Sequence, residues 1–323
     1  MTRTVLVTGG AGFIGSHVVE RLLSQGHHVV CLDNFDETYP PQQKRANMRS
    51  VSSHEQFVLA QGDIRDRAFL EKTFSRHEFD AIVHLAALSG VRDSLAKAAL
   101  YEEVNIRGTL NLLEEARAHK IEKFVFASSS SVYGLNGKSP LDETQRLDSP
   151  ISPYAASKIA GDLLCHTFGY NYGFQTVALR FFTVYGPRQK PGMAVHLFTC
   201  LIDRGEEVPL FGDGTSVRDY TYVGDIVNGI EAALSCQGPP FEAFNLASGR
   251  EVSLNTLVSL IEKGLGKKAR VKHLPAHPGD VRGGRGDTSK ARALLNYQPQ
   301  VDIDKGIPLF VEWHRNARVA VET

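Results

Sequence analysis

Val5-Leu6-Val7-Thr8-Gly9-Gly10-Ala11-Gly12-Phe13-Ile14-Gly15-Ser16-His17 is a short β-branched run that ends in clustered glycines and passes at once into a helix. The helix is read from Ile14, Val18 and Leu22, and from Val19 and Leu23, whose four-residue spacing lays down one apolar face; Gly26 marks its end. The glycines satisfy Gly10-x-Gly12-x-x-Gly15 and Gly9-x-x-Gly12-x-x-Gly15 together. Lacking Cβ atoms, they allow a tight turn, a close backbone approach and a helix packed hard against its strand. The helix start then offers unpaired N–H groups and a positive dipole end to a pyrophosphate. Glycine turns are common, so the spacing alone is weak evidence, but here it follows a strand and opens a helix. About 20 residues on, Asp33 closes the strand Val29-Val30-Cys31-Leu32, where a ribose-diol acceptor belongs. An acid at that place repels a 2′-phosphate, so NAD is expected rather than NADP.

A chain of 323 residues can hold one large core or two domains. Its 42% hydrophobic and 22% charged residues are ordinary for a globular protein. Lys and Arg number 36 and Asp and Glu number 36, so bulk charge points to neither nucleic acid nor a membrane surface. Any bound anion must be met by individually placed arginines. Cys31, Cys165, Cys200 and Cys236 lack CxxC spacing and read as buried thiols of a reducing compartment, with no metal site expected. The polar start runs directly into a strand and no apolar run reaches membrane length, so a cytoplasmic protein is expected.

Outward from the glycine turn, strand and helix alternate. Asn34 to Glu55 is polar and reads as a loop with about one helical turn. Phe57-Val58-Leu59-Ala60 is a strand leading to Asp63 and Ile64; Asp63 is read either as a contact to an adenine edge or as the cap of the next helix. Ala81-Ile82-Val83-His84-Leu85-Ala86-Ala87 is a buried strand turning into small residues that let a flat ligand pass close, with His84 a packed strand-end histidine. One long helix is expected from about Asp93 to His119, then the strand Lys123-Phe124-Val125-Phe126-Ala127 and the serine cluster Ser128 to Ser131. Such alternation predicts an α/β fold, a Rossmann-type doubly wound parallel sheet with ligands at the carboxyl ends of its strands. Beyond Arg180, prolines break the pattern into short pieces. The expected division is a dinucleotide-binding domain over 1–180, with about 222–248 returning to it, and a smaller C-terminal substrate-binding domain over 181–323.

Ser152-Pro153-Tyr154-Ala155-Ala156-Ser157-Lys158 opens a further helix, on which Tyr154 and Lys158 share one face a turn apart. A phenol is a poor base at neutral pH; a neighbouring ammonium favours the phenolate. In isolation the pair reads as a solvent-facing Tyr/Lys couple, but it follows a nucleotide fold and a serine cluster.

The glycine motif, Asp33, the serine cluster and Tyr154-x-x-x-Lys158 together resemble the extended short-chain dehydrogenase/reductase family over essentially the whole chain. Leu179-Arg180-Phe181-Phe182-Thr183-Val184-Tyr185-Gly186-Pro187-Arg188-Gln189, His84-Leu85-Ala86-Ala87 and Gly90-Val91-Arg92 resemble its nucleotide-sugar 4-epimerases, those of UDP-glucuronic acid most closely. The resemblance implies a catalytic triad of Ser129, Tyr154 and Lys158, with NAD held by Gly9, Gly12, Phe13, Ile14, Gly15, Asp33, Asn34, Asp63, Ile64, Leu85, Ala86, Ala87, Tyr154 and Lys158. It also implies a homodimer built through the long helix and the Tyr154 helix. Related dehydratases carry Asp-Glu where this chain has Ser130 and Ser131, and related decarboxylases carry Glu at the second of these, so plain epimerisation is expected.

UDP-glucose epimerases usually show Asn at Thr183, which leaves UDP-glucose as the alternative substrate. Thr183, Ser130 and Ser131 could serve a substrate carboxylate or merely satisfy backbone groups at a strand end. By resemblance Arg188, Arg218 and Arg282 meet the uridine diphosphate, with Arg282 and Arg285 able to exchange roles in a glycine-rich stretch. Met193 and Phe211 are read as uracil-pocket walls or as plain core. A silent NAD-binding sensor is the remote alternative, against which the intact Ser129, Tyr154 and Lys158 stand.

Overall fold

The computed structural model describes residues 2–38, 40–135, 137–275 and 283–322. Strand β1 (Thr4–Thr8) hands over at the glycine turn to helix α1 (Phe13–Ser24), and β2 (His28–Asp33) ends on Asp33. Only glycine suits the turn: Gly9 has φ of +67°, and a Cβ on Gly15 would lie 2.1 Å from the Gly9 carbonyl oxygen. Gly26, just past the end of α1, takes the left-handed φ of 80° expected of a helix stop.

Next come α2 (Pro41–Asn47), β3 (Phe57–Gln61), α3 (Arg67–Arg76) and β4 (Ala81–His84). The Asn34–Glu55 segment is more helical than its polarity suggests. It holds the 7-residue α2, opened by Pro41, whose missing N–H is harmless in a first turn. The helix α3 is capped by Asp66, which accepts from Phe69 N at 3.1 Å, and not by Asp63.

Where the apolar stripe predicts one helix over Asp93–His119, the chain forms four pieces: α4 (Val91–Ala96), α5 (Ala98–Tyr101), a π-helical turn (Glu102–Arg107) and α6 (Gly108–Ala118). Lys97 leaves helical geometry at φ −130° and ψ 37°. The π turn re-aims Asn105, whose Oδ1 accepts from Leu88 N at 2.8 Å while Nδ2 donates to Leu88 O and Ser157 Oγ, each at 3.0 Å. An amide satisfying a neighbouring loop leaves no trace in apolar periodicity.

The chain continues through β5 (Lys123–Ser129), a 3₁₀ turn (Ser130–Tyr133), α7 (Pro153–Tyr172), β6 (Gln175–Phe181), β7 (Thr183–Tyr185), α8 (Ala194–Arg204), β8 (Glu207–Phe211) and β9 (Val217–Tyr222). It closes with α9 (Val223–Ser235), β10 (Phe241–Leu246), β11 (Glu251–Ser253), α10 (Leu254–Leu265), β12 (Arg270–Leu274), α11 (Ser289–Leu295) and α12 (Ile303–Glu322).

The main sheet has 7 parallel strands in the order β10-β6-β5-β4-β1-β2-β3. Side-chain alternation sends Val5 and Val7 toward α1, α9 and α11, and Leu6 toward α3, α6 and α7, so both faces of the sheet are buried. Strand order reverses between β1 and β4, which opens a crevice at their carboxyl ends. Above it lie a 3-stranded sheet, β11-β9-β7, and a 2-stranded one, β12-β8. Tyr185, Phe198, Leu257 and Phe310 form the core that joins them to α8, α10 and α12.

Candidate active site

A cleft of about 870 Å³ follows the carboxyl ends of the main sheet and is roofed by the second lobe. It is lined by every residue that the sequence assigned to the dinucleotide, and by Ser129, Ser130, Ser131, Thr183, Met193 and Arg218. That volume lies within the range of small-molecule sites.

One end has the form that suits a pyrophosphate. Helix α1 starts at Gly12 with neither a side-chain cap nor an acidic residue in its first turn, so its leading N–H groups face the cleft. Beside it Asp33 is buried; Oδ2 accepts from Ala11 N at 3.1 Å and Oδ1 from Phe35 N at 2.8 Å. Burial raises its carboxyl above the usual range, opposed by Lys44, whose Nζ stands 3.8 Å from Oδ1. Burial also works to raise Asp63, but hydrogen bonds from Arg65 and Asn34 prevail and pull it down to about 2. A glycine turn, a free helix N-terminus and a carboxylate at the end of β2 fit a dinucleotide with a free ribose diol.

Ser129 ends β5 and Tyr154 and Lys158 stand on the first turns of α7, which Ser152 caps by accepting from Ala155 N at 3.1 Å. Burial raises the Tyr154 phenol, and the Ser129 side chain works against that rise. The Lys158 ammonium donates to the Ala127 carbonyl at 2.7 Å and lies 6.0 Å from the Tyr154 ring centroid. Burial pulls Lys158 down to about 8, with Asp162 opposing. Proximity to Lys158 therefore does not by itself make the phenolate that the Tyr/Lys spacing suggests: desolvation wins. His84 is core, bonded to Thr8 Oγ1 at 2.7 Å and Thr109 Oγ1 at 2.9 Å, and burial holds it neutral at about 3.

The substrate residues divide. Ser130, Thr183, Met193 and Arg218 reach the cleft, Arg218 with Nη1 donating to Val217 O at 2.7 Å. Ser131 lines it too, but its hydroxyl donates to Ser129 Oγ at 2.9 Å. Arg188 does not line it. At φ of 66° it turns back to α1, where Nη2 pairs with Glu20 at 2.7 Å, because the Gly186-Pro187-Arg188 turn docks there with Pro187 O bonded to His17 at 2.9 Å. Phe211 is also off the wall, its ring stacked under the Arg92 guanidinium at 4.2 Å. Arg282 lies outside the described residues. The backbone of Arg285 is held by Ser139 and Glu251, and its side chain does not line the cleft.

The cleft also contains Lys44, Arg92 and Lys190, cations that sequence reasoning passed over. Lys190 Nζ donates to Ser89 O and Oγ at 3.3 Å across the cleft. Gly90-Val91-Arg92 carried a family signal for one of them; the other two, Lys44 on α2 and Lys190 in a loop, carry none.

A profile of the family described as GDP-mannose 4,6 dehydratase matches residues 6–309. A UDP-glucuronate 4-epimerase from Thermodesulfobacterium geofontis is 39% identical over 312 residues, covering 96% of this chain and 95% of the relative. Among solved structures, UDP-glucuronic acid 4-epimerase from Bacillus cereus, in complex with UDP-glucuronic acid and NAD, superposes with a TM-score of 0.91 at 36% identity over 97% of this chain and 99% of that one. UDP-glucose 4-epimerase from Thermotoga maritima with UDP-glucose gives 0.90 at 36% identity over 98% and 99%.

Proposed function

The chain belongs to the extended short-chain dehydrogenase/reductase family, and from that membership we propose that it is an NAD-retaining 4-epimerase interconverting UDP-glucuronic acid and UDP-galacturonic acid. The observation that carries this reading is that Ser129, Tyr154 and Lys158 line one wall of the cleft together, with serines and no carboxylate at positions 130 and 131.

NAD, when bound, supplies a positively charged acceptor that can take a hydride from the sugar C4 and return it. Tyr154 removes the O4 proton as C4 becomes a carbonyl, and gives it back when the carbonyl is reduced from the other face. Ser129 hydrogen-bonds the same oxygen and aligns it. Lys158, seated on Ala127 O, holds positive charge near the nicotinamide ribose. No redox equivalent is consumed.

At the other end of the cofactor we assign the ribose diol to Asp33 and Asn34, the adenine edge to Asp63 and Ile64, and the pyrophosphate to the Gly9–Gly15 turn. Leu85, Ala86 and Ala87 pass beneath the cofactor. Arg218 and Met193 face the uridine diphosphate. A 4-keto uronate is a β-keto acid, and hydroxyls of Thr183 and Ser130 that keep its carboxylate in the ring plane suppress loss of carbon dioxide.

Two further features extend the reading. Leu163 and Tyr170 on α7 are 62% and 75% exposed, and Leu95 and Leu100 stand exposed on α4 and α5; this apolar surface suits a homodimer. Among the described residues no helix is long and apolar enough to cross a membrane, and with its four scattered cysteines lacking CxxC spacing we place the protein in the cytoplasm.

Incubation with UDP-glucuronate and separation by anion exchange tests the function. A UDP-galacturonate product supports it, and denatured protein should release NAD. The likeness to the Thermotoga maritima enzyme equals that to the Bacillus cereus enzyme, so UDP-glucose is the second reading. Conversion of UDP-glucose alone would install it, and absence of both NAD and turnover would leave a sensor.

A further inference from the structure

Behind the triad lies a buried ion pair that the chemistry above does not use. Asp162 is one turn beyond Lys158 on α7, and its side chain is 4% exposed. Its Oδ2 accepts from Arg180 Nε at 3.1 Å. Arg180 sits on β6 in register with Ser128 of β5, so the two side chains project to the same side of the sheet, under α7. Arg180 Nη1 also donates to the Tyr133 hydroxyl at 3.2 Å, and that hydroxyl donates to Asn245 Oδ1 at 2.6 Å. Asp162 is thereby fixed from β6, with Arg180 in turn held from the 3₁₀ turn and β10.

Lys158, buried at 5% exposure, has the opposite need. Its ammonium donates to Ala127 O at 2.7 Å and faces the Phe126 ring at 5.0 Å. The other titratable groups acting around it are Tyr154 and the protonated Cys165 thiol on α7 and neutral His84 on β4; Arg180 on β6 lies beyond Asp162. A neutral carbonyl and aromatic faces do not compensate a buried charge; a carboxylate does.

Resting on the reading of Lys158 as catalytic, we infer that Asp162 is a positioning residue: clamped by Arg180, it is the counter-charge that keeps the Lys158 ammonium protonated and seated beside Tyr154. Helix spacing puts Asp162 on the face of α7 that carries Lys158, and the Arg180 clamp stops it from swinging away. The pair is thus more than a structural brace.

The test compares wild-type holoenzyme with Asp162→Asn and Asp162→Glu. Two quantities are read across neutral to alkaline pH: kcat, and the titration of Lys158 followed by NMR of ¹³Cε-labelled lysine. Wild type should lose kcat on an alkaline limb near pH 8, where Lys158 titrates. In Asp162→Asn both the limb and the titration should move about one pH unit or more toward acid; Asp162→Glu should return them to the wild-type position. A lower kcat in Asp162→Asn with limb and titration unmoved overturns the inference and leaves a brace. If Asp162→Asn does not fold, Asp162→Leu with Arg180→Met removes both charges without orphaning either, and a smaller shift toward acid is expected, since the more distant repelling cation is lost as well. A wild-type protein without epimerase activity would refute the proposed function alone, since the titration decides the role of Asp162 without turnover.

Discussion

The ring of Tyr101 meets that of Tyr154 edge-on, centroids 6.2 Å apart, while the Tyr101 hydroxyl donates to the carbonyls of Ser89 at 3.0 Å and Gly90 at 3.2 Å. One buried side chain thus backs the Tyr154 phenol and ties down the loop after β4. Tyr101→Phe keeps the ring and loses the hydroxyl, so about 1–2 kcal/mol of stability should go while kcat changes little. Tyr101→Leu should reduce kcat as well. Urea denaturation beside turnover measures both, and equal kcat for the two variants would deny the ring any part in holding Tyr154.

Tyr154→Phe should keep the fold and the bound NAD while turnover falls about 10²–10⁴-fold, since only the hydroxyl to which proton transfer is assigned is lost. NAD released on denaturation and initial rates are the readouts. Activity retained by the variant would mean that another group takes the O4 proton.

His84 makes stability pH-dependent. Folded, it protonates only at about 3, because burial and nearby Lys158 disfavour the cation, against 6.5 for an ordinary histidine. Between those values the unfolded chain holds a proton that the folded one does not, so its stabilising contribution is full above pH 6.5 and is lost on acidification toward 3. His84→Gln should flatten the acid side of the stability curve by about 1.4 kcal/mol per pH unit. Parallel slopes for wild type and variant in urea titrations would place the acid sensitivity elsewhere.

Thr183→Asn removes a hydroxyl assigned to the substrate carboxylate. It should cut kcat/KM for UDP-glucuronate more than for UDP-glucose, which has no carboxylate, by about 10-fold for one lost charge-assisted hydrogen bond. An equal loss for both substrates rules out the carboxylate assignment.

Leu163→Lys introduces a charge into the exposed apolar face of α7, where Leu163 is 62% exposed. Sedimentation should show a dimer for wild type and a shift toward monomer for the variant. A monomeric wild type would leave that face without the partner assigned to it.

The glycine turn, Asp33 at the end of β2 and the Tyr154–Lys158 couple are legible in the sequence alone. Each depends on spacing within one element or one strand-turn-helix unit, where hydrogen-bond period and φ preference fix the geometry. The same local rules missed the π turn at Glu102–Arg107, because it is stabilised by Asn105 bonding to Leu88 and Ser157, distant in the chain. The resemblance put Arg188 at the substrate and left Phe211 between the uracil pocket and the core, whereas docking of the second lobe gives one to Glu20 and the other to Arg92.

By itself, then, the sequence determined the parallel α/β fold, the dinucleotide turn and the helix face that carries Tyr154 and Lys158, since near-neighbour sterics and hydrogen bonding act over a few residues. Only the tertiary structure decided which charges meet: Lys44 with Asp33, Arg188 with Glu20, Arg180 with Asp162. Those partners are 11, 168 and 18 residues apart. What joins them is the order in which strands cross and lobes dock, and electrostatic attraction selects a partner only after packing has brought it within a few ångströms.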